Sequence, residues 1–131
     1  MPDPSSYLID DMNPIFIGRV AEITGASRKA IRHYEAIGLL PPPKRRGTYR
    51  TYSGQQVFMV HVIRHAQSYG FTLDELRVLI GAINQHGGFP VDVGLDLVRL
   101  KRASVQRELE ELHAHDKRLG LLITDIKKHF G

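Results

Sequence analysis

Cationic side chains recur at helical spacing just after Ser27. Arg28 and Arg32 are four residues apart, and so are Lys29 and His33. This spacing puts all four on one face of a helix, while Ile31, Tyr34 and Ile37 turn elsewhere. Such a face can donate hydrogen bonds to phosphate oxygens and to base edges of DNA. We therefore predict a short DNA-reading helix that Ser27 caps at its start.

A second cationic group follows within a predicted β-hairpin. Lys44, Arg45 and Arg46 precede a turn at Gly47, and strand-forming residues with a further arginine come after it. Arginine suits phosphate contacts because its guanidinium presents several rigid donors. The residues predicted to contact phosphates from the hairpin are Arg45, Arg46, Tyr49, Arg50 and Tyr52.

Two tyrosines and two arginines have alternative interpretations. Tyr34 can bury its ring and still present its hydroxyl to a phosphate, and Tyr52 is either a phosphate contact or a core anchor under the hairpin. Arg19 and Arg64 are weaker candidates for phosphate contact, and Arg19 can equally be a surface residue. All four are kept among the predicted DNA-binding residues.

The positive charge of the chain is local. The whole sequence of 131 residues has a formal net charge of +4. Residues 17–52 alone carry +6, because eight lysines and arginines stand against Glu22 and Glu35. An acidic partner is therefore expected to bind this segment.

The order of elements predicts a mainly α-helical winged helix-turn-helix domain over residues 15–85. Residues 1–14 are interpreted as a flexible N-terminal arm, because they are rich in proline, serine and aspartate. A brief helix stops at Gly25, the DNA-reading helix ends at Gly38, and two amphipathic helices follow the hairpin from Ser53 and Thr72. The prolines at 41–43 and the glycines and proline at 85–90 break the pattern.

Heptad spacing begins at Val91 and continues through the segment 91–131. Because one chain cannot bury such a stripe alone, it predicts a coiled coil between two copies. A break is expected between His113 and Gly120, so that a long dimerisation helix is followed by a short C-terminal helix. The residues predicted at the dimer seam are Val91, Leu95, Val98, Val105, Leu109, Leu112 and Leu119.

Several short motifs occur in one order along the chain. They are Ile17-Gly-Arg-Val-Ala, Thr24-Gly-Ala-Ser, Ile31-Arg-His-Tyr-Glu, Gly38-Leu-Leu-Pro-Pro, Tyr49-Arg-Thr-Tyr and Gly70-Phe-Thr-Leu-Asp-Glu-Leu. In this order, over roughly residues 15–80, the segment resembles the DNA-binding region of the MerR family of bacterial transcription regulators. One departure is Thr48, which stands between Gly47 and Tyr49 where the family usually has glycine directly before the tyrosine. The shape of the hairpin tip is therefore left open.

The resemblance implies how the protein would work. It implies an antiparallel coiled coil within a homodimer that binds double-stranded DNA at a pseudo-palindromic promoter site. A bound signal would then distort the promoter so that RNA polymerase can engage both of its recognition elements. The alternative is a protein-interaction module with a MerR-like fold that modulates a chaperone or another protein.

Several classes of function are disfavoured by composition. The sequence has no cysteine, which removes thiolate metal sites, disulfides and thiol redox sensing. No acid, base and nucleophile set points to an enzyme, and no metal or other cofactor is expected, although His61 and His65 have ligand spacing. No membrane span or signal peptide is recognised, so a cytoplasmic location is expected. No large ligand domain is expected after Phe130, and the sequence does not identify the effector.

Overall fold

The computed structural model describes residues 15–131, and the predicted flexible arm of residues 1–14 lies outside this range. The chain forms two compact units. The first ends at Gly94 and the second begins at Leu95. The predicted domain limits of 15–85 and 91–131 stay a prediction.

The first unit is mainly helical and contains one small hairpin. A 3-10 turn at Asp74–Leu76 leads into the last of its four complete helices, and a fifth helix starts within the unit. The elements are α1 (Ile17–Thr24), α2 (Arg28–Ala36), β1 (Lys44–Arg46), β2 (Tyr49–Thr51), α3 (Gly54–Ser68), α4 (Arg77–His86) and α5 (Val91–Phe130). The predicted fold class, with a hairpin after two short helices and a long helix at the end, is confirmed.

Local signals set the helix boundaries. Gly25 ends α1 in the left-handed conformation (φ 78°), where a side chain would be strained. Ser53 and Gln56 form a capping box at the start of α3: the Ser53 hydroxyl accepts from the Gln56 amide at 3.1 Å, and the Gln56 side chain accepts from the Ser53 amide at 2.9 Å. Thr72 and Glu75 repeat this arrangement before the 3-10 turn.

The apolar core of the first unit is centred on α3. This helix packs against both α1 and α4. The largest side chains that are almost fully removed from solvent are Val20, Ile31, Leu40, Val57, Phe58, Met59, Val60, Val62, Ile63, Leu76, Ile80 and Ile83. Burial of this apolar area is the main favourable term that holds the four short helices together.

Side chains also join the helix ends to one another. The Gln55 amide donates to the carbonyl of Ile83 at 2.7 Å and so satisfies the end of α4 from the start of α3. Arg77 donates to the carbonyl of Ile37 at 3.1 Å, directly after α2. A cation at the C-terminal end of a helix is also favoured by the helix dipole.

The second unit consists of the part of helix α5 that lies beyond Gly94. The break predicted between His113 and Gly120 does not occur, because α5 continues unbroken from Val91 to Phe130, and no separate C-terminal helix forms. The 40 residues of α5 span about 60 Å at 1.5 Å per residue. No proline lies in this range, and a lone glycine costs a helix only about 1 kcal/mol. Gly120 therefore does not end it.

The heptad residues of α5 form a stripe exposed to solvent in the single chain. We refer to these residues as the apolar stripe: Val91, Leu95, Val98, Val105, Leu109, Leu112, Leu119, Ile123, Ile126 and Phe130. Exposed fractions range from 44% at Val105 to 86% at Phe130. Contiguous exposed apolar surface of this kind is typical of an interaction site.

Two glycines of α5 give a matched test of the packing at the start of the helix. A Cβ at Gly94 would lie 2.6 Å from ring carbons of Phe89, whereas one at Gly120 would meet open space. We expect Gly94→Ala to lower the free energy of unfolding by about 1 kcal/mol, because the displaced ring outweighs the better helix propensity of alanine. Gly120→Ala should raise it by roughly 0.5 to 1 kcal/mol.

Urea unfolding of both variants at one protomer concentration measures this difference. Stabilisation of equal size by both substitutions would show that Phe89 does not pack on Gly94.

Candidate nucleic-acid interface

Helix α2 has one buried face and one cationic face. The Ser27 hydroxyl caps it by accepting from the Ala30 amide at 3.0 Å. Ile31 and Tyr34 are 0% and 2% exposed. The four side chains predicted to meet DNA from this helix are all exposed: Arg28, Lys29, Arg32 and His33. The sequence pattern therefore identified the face that α2 presents to solvent.

The turn between α1 and α2 is braced from α3. The Thr24 hydroxyl donates to the carbonyl of Val20 at 2.8 Å and accepts from the Ala26 amide at 3.2 Å. Arg64 donates from Nε to the carbonyl of Gly25 at 3.4 Å. Arg64 thus helps to hold the turn, and the phosphate contact predicted for its exposed guanidinium stays a prediction.

The β1–β2 hairpin, which we call the wing, has a tight tip. Arg46 pairs with Tyr49, so Gly47 and Thr48 alone form the connecting loop. Gly47 has a φ of 65°, and no residue other than glycine has a positive φ in the described chain. A positive φ at the first loop position alone is typical of a type II′ turn. Thr48 is therefore the second residue of a two-residue loop, which settles the tip shape that the sequence left open.

A groove of about 650 Å3 lies between the start of α1, helix α2 and the wing. Arg19, Arg28 and Arg32 all line it. Phe16 and Tyr49 line it as well, and their rings meet edge to face with centroids 6.0 Å apart. Three guanidinium groups beside two aromatic rings form a concave cationic surface, which suits a phosphate backbone.

Sequence reasoning missed Gly18 and Phe16 at this groove. A Cβ at Gly18 would lie 2.7 Å from Nη2 of Arg28, so the glycine leaves room for that guanidinium beside α1. Phe16 precedes α1 and has no polar group, and its contact with Tyr49 joins residues that are 33 positions apart. Neither role leaves a local signal in the sequence.

Arg19 makes an exposed ion pair. Its Nη1 lies 3.1 Å from a carboxylate oxygen of Glu22, and both side chains are about two-thirds exposed. Surface pairs of this kind contribute little to stability. The weaker phosphate contact predicted for Arg19 stays a prediction.

Two of the predicted DNA contacts come from tyrosines that are buried in the single chain. Tyr34 is 2% exposed, and its hydroxyl donates to the Gln67 side chain at 2.8 Å. Tyr52 is 4% exposed, and its hydroxyl donates to the Glu35 carboxylate. Both hydroxyl groups are therefore hydrogen-bonded within the domain, which favours the core-anchor alternative for Tyr52, and the DNA contacts of these two tyrosines stay predictions.

Burial also affects how these tyrosines titrate. Burial raises the pKa of Tyr34, and the nearby charge of Arg64 offsets part of that rise. Burial raises the pKa of Tyr52 much further, with additional contributions from its hydrogen bond to Glu35 and from the charge of that carboxylate. Both hydroxyls consequently stay protonated at neutral pH and remain hydrogen-bond donors.

The histidine pair on α3 is a stacked pair of rings. The centroids of His61 and His65 are 5.8 Å apart at an angle of 15°, and His65 meets Tyr69 edge to face at 5.3 Å. Burial lowers the pKa of His61, and the neighbouring His65 lowers it further. Within residues 15–131, histidine and carboxylate side chains do not gather in groups of three or more that could hold a metal ion.

The interior role of Tyr34 and the surface position of Tyr49 can be distinguished by removing one hydroxyl at a time. Tyr34→Phe should lower the free energy of unfolding by about 1 kcal/mol, because the Gln67 side chain loses its buried partner. Tyr49→Phe is the matched control, since its ring is 69% exposed, and it should leave stability unchanged. Thermal unfolding of both variants provides the measurement, and equal stability of the two would contradict the interior role of Tyr34.

Comparison with known proteins places this arrangement in a family. The family model described as "MerR HTH family regulatory protein" matches residues 16–82, and the family model described as "MerR, DNA binding" matches residues 59–122.

Among the described residues, no helix is both long and apolar enough to cross a membrane.

Curated relatives share about a third of their residues with the chain. The mercuric resistance operon regulatory protein of Bacillus cereus is 36% identical over 86% of this chain and 82% of the relative. The HTH-type transcriptional regulator CueR of Escherichia coli O157:H7 is 38% identical over 75% of this chain and 73% of the relative.

Solved structures agree with these relatives. The transcription regulator PbrR691 from Ralstonia metallidurans CH34, in complex with lead(II), aligns with a TM-score of 0.65 at 26% identity, covering 87% of this chain and 86% of that one. MtaN, the N-terminus of the Bacillus subtilis multidrug transporter activator, gives 0.59 at 28% identity and covers 80% and 97%. The chain belongs to the MerR family of DNA-binding transcription regulators.

Proposed function

We propose that this chain works as a homodimer on a pseudo-palindromic promoter site. Each protomer places α2 in a major groove of double-stranded DNA and its wing on adjacent phosphates. One observation carries the proposal: the cationic face of α2 is exposed while its opposite face, with Ile31, is fully buried. Two identical subunits related by a two-fold axis require a DNA site with matching symmetry.

The contacts divide into two kinds. Arg28, Lys29, Arg32 and His33 on α2 are suited to base edges and to the phosphates of the major groove. A second set of polar and cationic side chains around the groove and the wing is suited to the backbone alone. The residues proposed for this second set are Arg19, Ser27, Arg45, Arg46, Tyr49 and Arg64.

Family membership supports a mode of action in which DNA is deformed. In the proposed mechanism the dimer sits between two promoter elements, and a signal changes the twist and bend of the DNA so that RNA polymerase engages both. Part of the specificity then arises from how easily a sequence deforms. The protein acts in this mechanism as a cytoplasmic regulator and not as an enzyme.

The proposed signal differs from a soft metal held by thiolates. One similar protein is named for mercuric resistance, and another has a structure solved in complex with lead(II). This chain has no cysteine, so thiolate ligands, which such metals favour, cannot come from it.

Selection against sheared genomic DNA tests the function and supplies the operator. The purified protein is mixed with genomic fragments at moderate salt, and the retained fragments are sequenced. Enrichment of a short inverted repeat between promoter elements is expected. Uniform retention, or none, would contradict the regulator and favour the protein-interaction module.

Neutralising two side chains of α2 should then weaken operator binding. We expect Arg28→Gln with Arg32→Gln to reduce affinity roughly a hundredfold, because two charged contacts to bases or phosphates are lost. The slope of log affinity against log salt should become shallower by about 0.9 for each phosphate contact removed.

The matched control makes the same change of charge on α5. Arg107→Gln with Lys117→Gln alters two exposed cations that lie off the apolar stripe. Operator affinity in this control should stay within about threefold of the parent, since only long-range charge is changed. Equal losses in both double variants would show that net charge alone governs binding.

The apolar stripe is the proposed dimer seam. Leu109→Glu should shift the protein from dimer to monomer at micromolar concentration, because a buried carboxylate without a partner is strongly unfavourable. Leu121→Glu is the control: Leu121 is 60% exposed against 51% for Leu109, but lies off the stripe. Sedimentation equilibrium measures both, and a dimer that survives Leu109→Glu while dissociating with Leu121→Glu would overturn the proposed seam.

A further inference from the structure

We propose that Glu35 is a positioning residue that links α2 to the wing, and that Arg50 acts through this link and not by contacting DNA. The inference rests on the proposed DNA-binding function. It changes the role predicted for Arg50 from the sequence, and it assigns a role to an acidic residue beside a surface that otherwise binds an anion.

Both oxygens of the Glu35 carboxylate bind side chains at the wing or directly after it. Glu35 lies in the last turn of α2, and its side chain is only 10% exposed. One oxygen lies 3.1 Å from Nε of Arg50 on β2. The other accepts a hydrogen bond from the hydroxyl of Tyr52, which directly follows β2. One carboxylate therefore joins α2 to a residue of β2 and to the residue that follows this strand.

Charge within the wing gives Arg50 a reason to turn toward Glu35. Arg45 and Arg50 face each other directly across the two strands. Like charges in this position repel and destabilise a hairpin. Arg45 donates to the carbonyl of Thr48 at the tip, while Arg50 pairs with Glu35 and is only one-third exposed. The carboxylate thus separates the two guanidinium groups and holds one of them against α2.

Tyr52 anchors the same strand from a second direction. Its backbone amide donates to the carbonyl of Ile15 at 2.9 Å, just before α1. The base of the wing is consequently held by the main chain on one side and by Glu35 on the other. A nearly buried carboxylate is unfavourable unless it is paired and hydrogen-bonded, and here it is both.

A fixed wing matters because its arginines and α2 must meet one DNA duplex together. Binding is stronger when the two contact surfaces are already held in place, because less freedom is lost on association. If Glu35 sets the wing direction, its loss should weaken binding even though a negative charge near the phosphates has been removed. The direction of this change in affinity distinguishes a positioning residue from a carboxylate that merely repels DNA.

A double-mutant cycle tests the link. Operator affinity is measured across a salt series for the parent, Glu35→Gln, Arg50→Gln and the double variant. We expect each single change to weaken binding about tenfold, the double variant to be no weaker than either single one, and the salt slope to stay unchanged. Such coupling is the mark of residues that act through one another.

Three results would overturn the proposal. Additive losses with a slope shallower by about 0.9 for Arg50→Gln would show that Arg50 touches a phosphate. Tighter binding by Glu35→Gln would show that the carboxylate only repels DNA. Unchanged affinity in both single variants would show that the link has no effect on binding.

The control is the other glutamate of this region that pairs with an arginine. Glu22→Gln removes an equal charge from an exposed i, i+3 pair with Arg19 on α1 and should change affinity less than threefold. Should Glu35→Gln fail to fold, Tyr52→Phe removes only the hydroxyl from the same network and should weaken binding without changing the salt slope. Unchanged affinity of Tyr52→Phe would also contradict the link.

Hydrogen exchange without DNA separates this inference from the proposed function. In Glu35→Gln the amides of Arg46 and Tyr49 should exchange at least tenfold faster, while those in the centre of α3 keep their protection. Unaltered exchange at the wing would overturn the link whether or not an operator is found. Failure of the parent protein to bind any operator would instead contradict the function alone.

Discussion

A cationic helix stays at the surface of a small domain in one orientation only if its other face is thoroughly buried. In α2 this constraint is met by Ile31 and by the ring of Tyr34, whose hydroxyl is satisfied by Gln67 on α3. Because both are held against the core, rotation of α2 would expose apolar area and leave a buried polar group unpaired. The direction of Arg28 and Arg32 therefore follows from the buried residues on the opposite face of the helix.

The second requirement is to hold many positive charges close together. Residues 17–52 carry eight cationic side chains, and Glu22 and Glu35 are the acidic residues among them. Glu22 is exposed and pairs within its own helix, whereas Glu35 is mostly buried and pairs across to the wing. An exposed ion pair contributes little to stability because solvent screens it. A mostly buried pair fixes the geometry of its two elements, because separating the partners would leave a buried charge unpaired. Of these two acidic residues, the mostly buried Glu35 is thus the one that fixes the geometry of the cationic region.

Features decided by neighbouring residues could be predicted from the sequence, and those decided by distant ones could not. The Ser27 and Ser53 caps and the Gly25 turn depend on residues within a few positions, and the structure has them where they were expected. The hydroxyl of Tyr34 is bound by a residue 33 positions away, which no spacing reveals. The break expected near Gly120 failed for another reason: weak helix formers lower stability without ending a helix.

The start of α5 depends on a residue that helix propensity disfavours. Gly94 belongs to the first unit, and the ring of Phe89 occupies the space where a side chain at Gly94 would be. The first turn of α5 is therefore packed with the loop before it. A side chain at position 94 would have to displace this ring or shift the backbone, so a close contact within the first unit outweighs the lower helix propensity of glycine.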